Sequence, residues 1–239
     1  MEHLTGSYRV LQDERIIETE KPLPKKHLVS WNVQNSSAKV ENPHSGLSIF
    51  NFHYASPPVT VVMNYDINKV IGLNETGFKG TGDDYYRNEA WEFMLAGGAL
   101  YNHLDFSFAV GSPDGTQILA DTTPGGGSVA LRRQIAILKR FIESFDFVRM
   151  KPCPDCVEGN DDYTLAESGK QYAVFVRNAK GKTLRLNLPQ GEYTANWLEP
   201  VQGTTIDIAK FFYVGDVKVF QVPETFANGA ALRVVSAKQ

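Results

Sequence analysis

Polar side chains stand where apolar strand-like runs end, at four places in the N-terminal part of the chain. In chain order they are Asn32; His53 and Tyr54; Asn74 and Glu75; and His103 and Asp105. In proteins that alternate parallel strands with helices, functional groups gather where strands end and the following loops begin. Glu75 is the strongest candidate, because Ile71 and Leu73 precede it and a carboxylate in such a place must be paired or catalytic. The residues alone leave both readings open, catalysis and an ion pair with an arginine or lysine.

Two of these residues, His53 and His103, are candidate metal ligands. The sequence offers no carboxylate arranged as a third ligand, and histidines without one more often form hydrogen bonds within a site. The glycine-rich run 124–128 precedes a helix but lacks the lysine of a phosphate-binding loop, so it is interpreted as a flexible loop. We therefore expect no metal and no cofactor.

The elements that must position these groups alternate between strand and helix. Predicted strands cover 27–33, 47–54, 69–75 and 100–108, and predicted helices cover 8–20, 57–65, 83–97 and 128–147. The last helix has the clearest apolar stripe, and Ser7 and either Asp83 or Asp84 are candidate helix caps. Four strands that alternate with helices favour parallel βα units.

Helical periodicity ends near residue 150, and short strand-like runs with turn signals between them follow. These predicted strands cover 163–167, 171–177, 183–188, 192–198, 204–208, 217–222 and 231–235. About seven short strands in so few residues are typical of a small antiparallel β-sandwich. Between the two regions stand Cys153 and Cys156, which we interpret as accidentally spaced residues of a plain linker, because neither a redox motif nor a zinc site is complete there.

Composition narrows the class of protein. The 239 residues are 42% hydrophobic and 21% charged with a net charge of −3, and no apolar run reaches the ~18 residues of a membrane span. No block of like charge is long enough to follow a phosphate backbone. We predict a globular protein whose partners are neither nucleic acid nor membrane. The N-terminus lacks the basic and apolar regions of a secretory signal, so the chain as given encodes no export.

Three segments carry a family resemblance that covers nearly the whole chain. The run 69–78, KVIGLNETGF, resembles the nucleophile segment on the seventh strand of retaining (β/α)8 glycoside hydrolases. Residues 86–108 and 111–115 resemble the last helix and eighth strand of the apiosidase-like glycosidases. Residues 161–175 and 188–197 resemble an accessory β-domain that carries the family label of a collagen-binding domain.

The resemblance implies a fold of two parts. Residues 1–152 would be an incomplete (β/α)8 TIM-type barrel of about four βα units, corresponding to strands 5–8, and residues 161–239 would be the β-sandwich. Residues 153–160 would link them. A half barrel exposes edges that a full barrel closes, so we expect self-association or pairing with an N-terminal half-barrel.

The resemblance also implies a function. Retaining glycosidases use two carboxyl groups about 5–5.5 Å apart, one as nucleophile and one as acid and then base. Glu75 matches the nucleophile, and the other strand-end residues named above, from Asn32 to Asp105, would bind the carbohydrate substrate.

The family's acid/base carboxylate ends the fourth strand and has no counterpart here. We therefore expect a fragment of an enzyme that cleaves O-glycosidic bonds of a complex or plant polysaccharide, inactive in isolation. The resemblance implies that a complete family member is exported. The alternative is a non-catalytic protein that binds carbohydrate or collagen through its β-sandwich.

Overall fold

The computed structural model describes residues 15–35, 37–55, 58–159 and 163–237. Contacts between residues divide the chain into two compact units. The first consists of residues 1–76 and 98–102, and the second consists of residues 77–97 and 103–239.

The first unit is built on a four-stranded parallel sheet in the order β1-β2-β3-β4. Its strands are β1 (Ser30–Asn35), β2 (Ile49–His53), β3 (Val70–Glu75) and β4 (Leu100–Tyr101). Helix α1 is described at residues 15–20, and α2 (Val59–Asn64) stands between β2 and β3. The predicted helix start at residues 8–14 and its cap Ser7 lie outside the described residues. Strands β2 and β3 are parallel neighbours with α2 between them, which is the arrangement of a βα unit.

Strands β2 and β3 are buried on both faces, as expected for a parallel sheet. Phe50, Phe52 and Leu73 are fully buried. Asn51 is the polar exception in β2: it lies opposite Gly72 and donates to Ser30 Oγ at 2.6 Å. A Cβ on residue 72 would lie 2.2 Å from Asn51 Oδ1, so a larger residue there would force the Asn51 side chain to move.

Two helices belong to the second unit, α3 (Asp83–Leu95) and α4 (Val129–Glu143). Ser128 caps α4, since its Oγ accepts from Leu131 N at 2.8 Å. In α3 the capping position is Gly82, and the two aspartates predicted as caps lie instead in the first turn, where carboxylates stabilise the helix dipole.

Eight strands complete the second unit. They are β5 (Lys151–Pro152), β6 (Tyr163–Glu167), β7 (Gln171–Val176), β8 (Thr183–Leu188), β9 (Gly191–Leu198), β10 (Thr205–Tyr213), β11 (Asp216–Gln221) and β12 (Ala230–Ser236). Each of the seven strands predicted in this region coincides with one of them. They form a six-stranded sheet, β10-β9-β12-β7-β6-β5, and a two-stranded sheet, β11-β8. One hydrophobic core contains residues of both sheets, for example Trp197 and Leu232 with Leu186 and Phe220.

Helix α3 also packs on this β-rich region. The ring of Trp91 stacks on Phe175 of β7 at 5.3 Å between centroids, and its other neighbour is Phe141 of α4 at 5.1 Å. Arg177 extends the contact by reaching Glu92 of α3 at 3.0 Å. The helices α3 and α4 and the β-strands therefore share buried side chains within one compact unit.

The predicted strand over 100–108 is wrong beyond Tyr101. Asn102 N still donates to Leu73 O at 2.8 Å, but the chain then turns. The carboxylate of Asp105 accepts from Ser107 N at 3.0 Å and from Ser107 Oγ at 2.5 Å. Such local side-chain bonds compete with the hydrogen bonds of a β-sheet. The alternation of apolar and polar residues does not predict these local bonds.

The interpretation of Cys153 and Cys156 as accidentally spaced is also wrong, because they form a disulfide. Pro154–Cys156 is a short 3-10 helix between them. Cys153 N donates to Thr164 O of β6 at 2.9 Å, and Val157 bridges to Leu186 of β8. The disulfide thus closes a turn that is bonded to both sheets of the second unit.

Candidate active site

Glu75 is the last residue of β3, and its carboxylate has two side-chain partners on the neighbouring strand. Tyr54 Oη donates to Glu75 Oε1, and His53 Nδ1 lies 3.2 Å from Glu75 Oε2. The carboxylate remains one-third exposed. An acidic side chain fixed at the carboxyl end of a parallel strand and open to solvent is positioned to meet a ligand.

The parallel register brings these residues together. His53 pairs with Glu75 across β2 and β3 after a register shift. Tyr54 then adopts a left-handed backbone with φ of 53°, and its N–H donates to Glu75 O at 2.7 Å. A tyrosine at positive φ is uncommon and is held by its surroundings, here by bonds from both its backbone and its hydroxyl to one residue.

Contact with Glu75 shifts the pKa of the Tyr54 hydroxyl. The hydrogen bond to Glu75, together with burial and the negative charge of the same carboxylate, raises the pKa of the Tyr54 hydroxyl above its usual value. The phenol therefore stays protonated and remains a hydrogen-bond donor to Glu75 over a wide pH range.

Two polar atoms beside Glu75 have no hydrogen-bond partner among the described residues. They are His53 Nε2 and Asn74 Oδ1, and both atoms are buried. The backbone oxygen of Asn74 is occupied, since Asn102 Nδ2 donates to it at 3.1 Å. Buried polar atoms without partners are uncommon in folded proteins, and a ligand is one explanation for them.

Asn32 does not join this group. It lies on β1 opposite Asn51 and is exposed, and no hydrogen bond between Asn32 and Glu75 occurs in the described part of the chain. Of the five predicted site residues in the first unit, His53 and Tyr54 contact Glu75, and Asn74 precedes Glu75 on β3.

His103 and Asp105 belong to the second unit. His103 is 8% exposed, its ring lies 5.2 Å from that of Tyr86, and its Nε2 has no partner within the described ranges. Burial lowers the pKa of His103, against the opposing charges of Asp105 and Asp83. A neutral imidazole is thus favoured at neutral pH.

Asp105 has internal partners on both carboxylate oxygens. Besides Ser107, Arg132 Nη1 lies 2.7 Å from Asp105 Oδ2, and the same guanidinium donates to Gly115 O at 2.5 Å. Burial acts to raise the pKa of Asp105, but the hydrogen bonds from Ser107 and Arg132 outweigh it and lower the pKa. Arg132 is not among the predicted site residues, yet its guanidinium joins the two ends of the loop 105–115.

Two negative observations concern other kinds of site. Over the ranges that the structure describes, histidine, cysteine and acidic side chains form no group of three that could hold a metal ion. Within the same ranges, no helix is both long and apolar enough to cross a membrane.

Known structures resemble this fold. A solved glycoside hydrolase matches with a TM-score of 0.69 at 16% identity over 98% of this chain and 63% of that one. A glycoside hydrolase family 5 protein from Bacteroides vulgatus ATCC 8482 matches with a TM-score of 0.67, also at 16% identity, over 95% of this chain and 58% of that one. No protein-family model and no curated protein sequence matches.

At this level of identity the likeness concerns the fold alone. The chain is a mixed α/β protein with the fold seen over part of these glycoside hydrolases. It spans 58–63% of the length of the two structures.

Proposed function

We propose that Glu75 is the nucleophile of a retaining glycoside hydrolase site that acts on a complex or plant polysaccharide. The observation that carries the proposal is the fixed, partly exposed carboxylate at the end of β3, held by Tyr54 and His53. The fold of the solved glycoside hydrolases supports it. For the first unit we propose a carbohydrate substrate bound by His53, Tyr54 and Asn74, with Asn32 on the neighbouring strand β1. In the second unit, His103 and Asp105 stay predicted substrate-binding residues.

In the proposed reaction, an oxygen of Glu75 attacks the anomeric carbon and the bond to the departing oxygen breaks. A glycosyl ester of Glu75 forms, and water then hydrolyses it. Tyr54 keeps the carboxylate oriented through its hydrogen bond. The unpartnered atoms His53 Nε2 and Asn74 Oδ1 are buried, so a sugar hydroxyl reaches them only if the surrounding side chains move.

The departing oxygen needs a proton, which a second carboxyl group supplies in complete retaining sites. In the described part of the chain, the side chains in direct contact with Glu75 are a phenol and an imidazole, and neither replaces this carboxyl group. We propose that the isolated chain lacks this acid and is inactive on natural glycosides, because general acid catalysis contributes a factor of about 10²–10⁴.

We also propose a division of the chain into two domains. The parallel sheet β1-β2-β3-β4 would correspond to strands 5–8 of an apiosidase-like (β/α)8 barrel spanning 1–152. The two sheets that share one core would be the β-sandwich of 161–239, joined through 153–160, with β5 (Lys151–Pro152) as a short edge strand from outside that range. The parallel chain-order topology supports the barrel part and the common core supports the sandwich; helices α3 and α4, which lie within 1–152, belong to the compact unit of the β-strands.

Aryl glycosides with a dinitrophenolate leaving group test the nucleophile separately from the acid, because such a group departs without protonation. We expect slow release of dinitrophenol by the wild-type chain and none above background by Glu75→Gln. Glu41→Gln is the matched control, since Glu41 is an exposed carboxylate of the same unit.

A second experiment tests whether Glu75 acts as a nucleophile. Azide added to a Glu75→Ala chain should restore cleavage and yield a glycosyl azide of inverted configuration, because azide attacks from the face that the carboxylate vacated. Equal rates for wild type and Glu75→Gln, or no azide product, would contradict the assignment.

A further inference from the structure

Phe78 has a backbone conformation that phenylalanine rarely adopts. Its φ is 56°, in the left-handed region, where the Cβ of a bulky residue crowds the backbone. Positive φ occurs at six non-glycine residues of the described ranges: Asn42, Tyr54, Asn68, Phe78, Asn178 and Asp216. Four of these are asparagine or aspartate, which tolerate the conformation in turns. The other two are Tyr54, whose hydroxyl donates to Glu75, and Phe78.

The fold gains little from a phenylalanine at this position. Phe78 is 52% exposed, so its burial stabilises the protein about half as much as that of a core phenylalanine. A glycine would adopt the same φ without a steric penalty. Residues in strained conformations cluster at active sites and ligand clamps, where function keeps them. The exposed ring of Phe78 is therefore a candidate for contact with a ligand.

The segment that follows Phe78 is fixed by hydrogen bonds within the second unit. Tyr86 of α3 is fully buried, and its Oη accepts from Lys79 N at 3.2 Å and donates to Gly80 O at 2.9 Å. Gly80 N donates to Pro124 O at 3.1 Å. These bonds restrain the backbone on the C-terminal side of Phe78, and so they help to maintain its left-handed conformation.

The ring of Phe78 is also supported from below by Phe106. The two rings form an edge-to-face pair, with 6.0 Å between centroids and 69° between planes. Phe106 N donates to Gly126 O at 3.0 Å, and a Cβ on residue 125 would lie 2.3 Å from Phe106 Cε2, so Phe106 is closely packed. A side chain that is held in this way loses little conformational entropy when a ligand binds.

We propose that Phe78 is a platform on which a sugar ring of the substrate stacks. The face of an aromatic ring carries partial negative charge and attracts the C–H groups on the face of a sugar. Phe78 follows Glu75 by three residues in the chain. The inference rests on the proposed function for the class of ligand, but it does not require that Glu75 is a nucleophile.

Saturation-transfer difference NMR titrations test the platform on the full chain carrying Glu75→Gln, so that no probe is consumed. The probes are oligosaccharides of cellulose, xylan, arabinan and homogalacturonan. We expect at least one of them to bind. Phe78→Gly should raise the dissociation constant of that probe by about tenfold, whereas Phe78→Tyr keeps the ring and should bind within about twofold of the parent.

Two matched variants control for the change of residue type. Asn178→Gly introduces glycine at another exposed position of positive φ, and Phe212→Ala removes another exposed phenylalanine ring. Both should leave the dissociation constant unchanged. Thermal melts separate ligand binding from a structural role: because glycine relieves the strain at residue 78, Phe78→Gly should melt at the temperature of its parent or above it.

Three results would overturn the proposal. They are a parent that binds none of the probes, a Phe78→Gly variant that binds as the parent does, and a Phe78→Gly variant that melts at a lower temperature, since the ring would then serve the fold. Release of dinitrophenol that depends on Glu75, together with binding that does not depend on Phe78, would remove the platform and leave the proposed hydrolase in place.

Discussion

Arg177 of the β-rich region neutralises Glu92 of α3, and removing its guanidinium tests whether helix and strands fold as one unit. Breaking a fully buried ion pair costs about 3–5 kcal/mol. The Glu92 side chain is 6% exposed, but that of Arg177 is 44% exposed, so water screens part of the attraction. We therefore expect Arg177→Met to lower the free energy of unfolding by about 2 kcal/mol at neutral pH.

The loss should depend on pH in a defined direction. Burial raises the pKa of Glu92, whereas the charge and the hydrogen bond of Arg177 lower it. The negative charge of Glu89 raises this pKa further. Because the pKa of Glu92 is higher in the folded state than in the unfolded state, ionisation of Glu92 destabilises the fold. This destabilisation is absent below the unfolded-state pKa and grows as the pH rises through the folded-state pKa. Removing Arg177 enlarges this destabilisation, so the variant should recover stability as the pH falls from about 7 to about 5.

Urea unfolding followed by tryptophan fluorescence is the assay, because Trp91 stacks on Phe175 beside the ion pair. Glu92→Met/Arg177→Met should lie within about 1 kcal/mol of wild type at every pH, since it leaves no charge buried alone. Lys180→Met controls for the loss of an exposed cation. An equal loss at both pH values, or a double variant as unstable as the single one, would refute the reasoning.

Three further predictions concern other contacts. Replacing both Cys153 and Cys156 with serine should lower the free energy of unfolding by about 2 kcal/mol, as loop-closure entropy gives for so short a loop, measured by denaturant titration. Glu75→Gln should lower the pKa of Tyr54, seen as a change in the ultraviolet tyrosinate titration, whereas an unchanged titration would mean that they do not interact. Arg132→Met should free the loop 105–115, measured as faster proteolytic cleavage there; unchanged cleavage would show that the loop does not depend on the guanidinium.

Local patterns predicted most of the secondary structure. Alternation and turn residues predicted the seven strands of the β-rich region, and apolar runs predicted β2 and β3. Both patterns are informative because the buried positions of a strand are apolar. The same reasoning placed Glu75 at a strand end. Its limit appeared after Tyr101, where the strand ends although the alternating pattern continues through the turn that Asp105 and Ser107 form.

The partners of Glu75 were less accessible to sequence reasoning. His53 and Tyr54 were predicted as substrate-binding residues, but their bonds to Glu75 follow from a register shift between β2 and β3 and from the left-handed backbone of Tyr54. Neither feature has a signature in residue type, since tyrosine rarely adopts positive φ. Contacts between residues distant in sequence, such as Arg132 with Asp105, likewise depend on tertiary packing.

We propose that Glu75 forms a covalent bond to a sugar. A panel of dinitrophenyl 2-deoxy-2-fluoroglycosides tests it, because the fluorine slows hydrolysis of the glycosyl ester and the leaving group needs no acid. After incubation with the folded chain, peptide mass spectrometry should find one fluoroglycosyl adduct, on the peptide that contains Glu75, and none in Glu75→Gln. An adduct on a different carboxylate, or no adduct with any sugar of the panel, would contradict the claim.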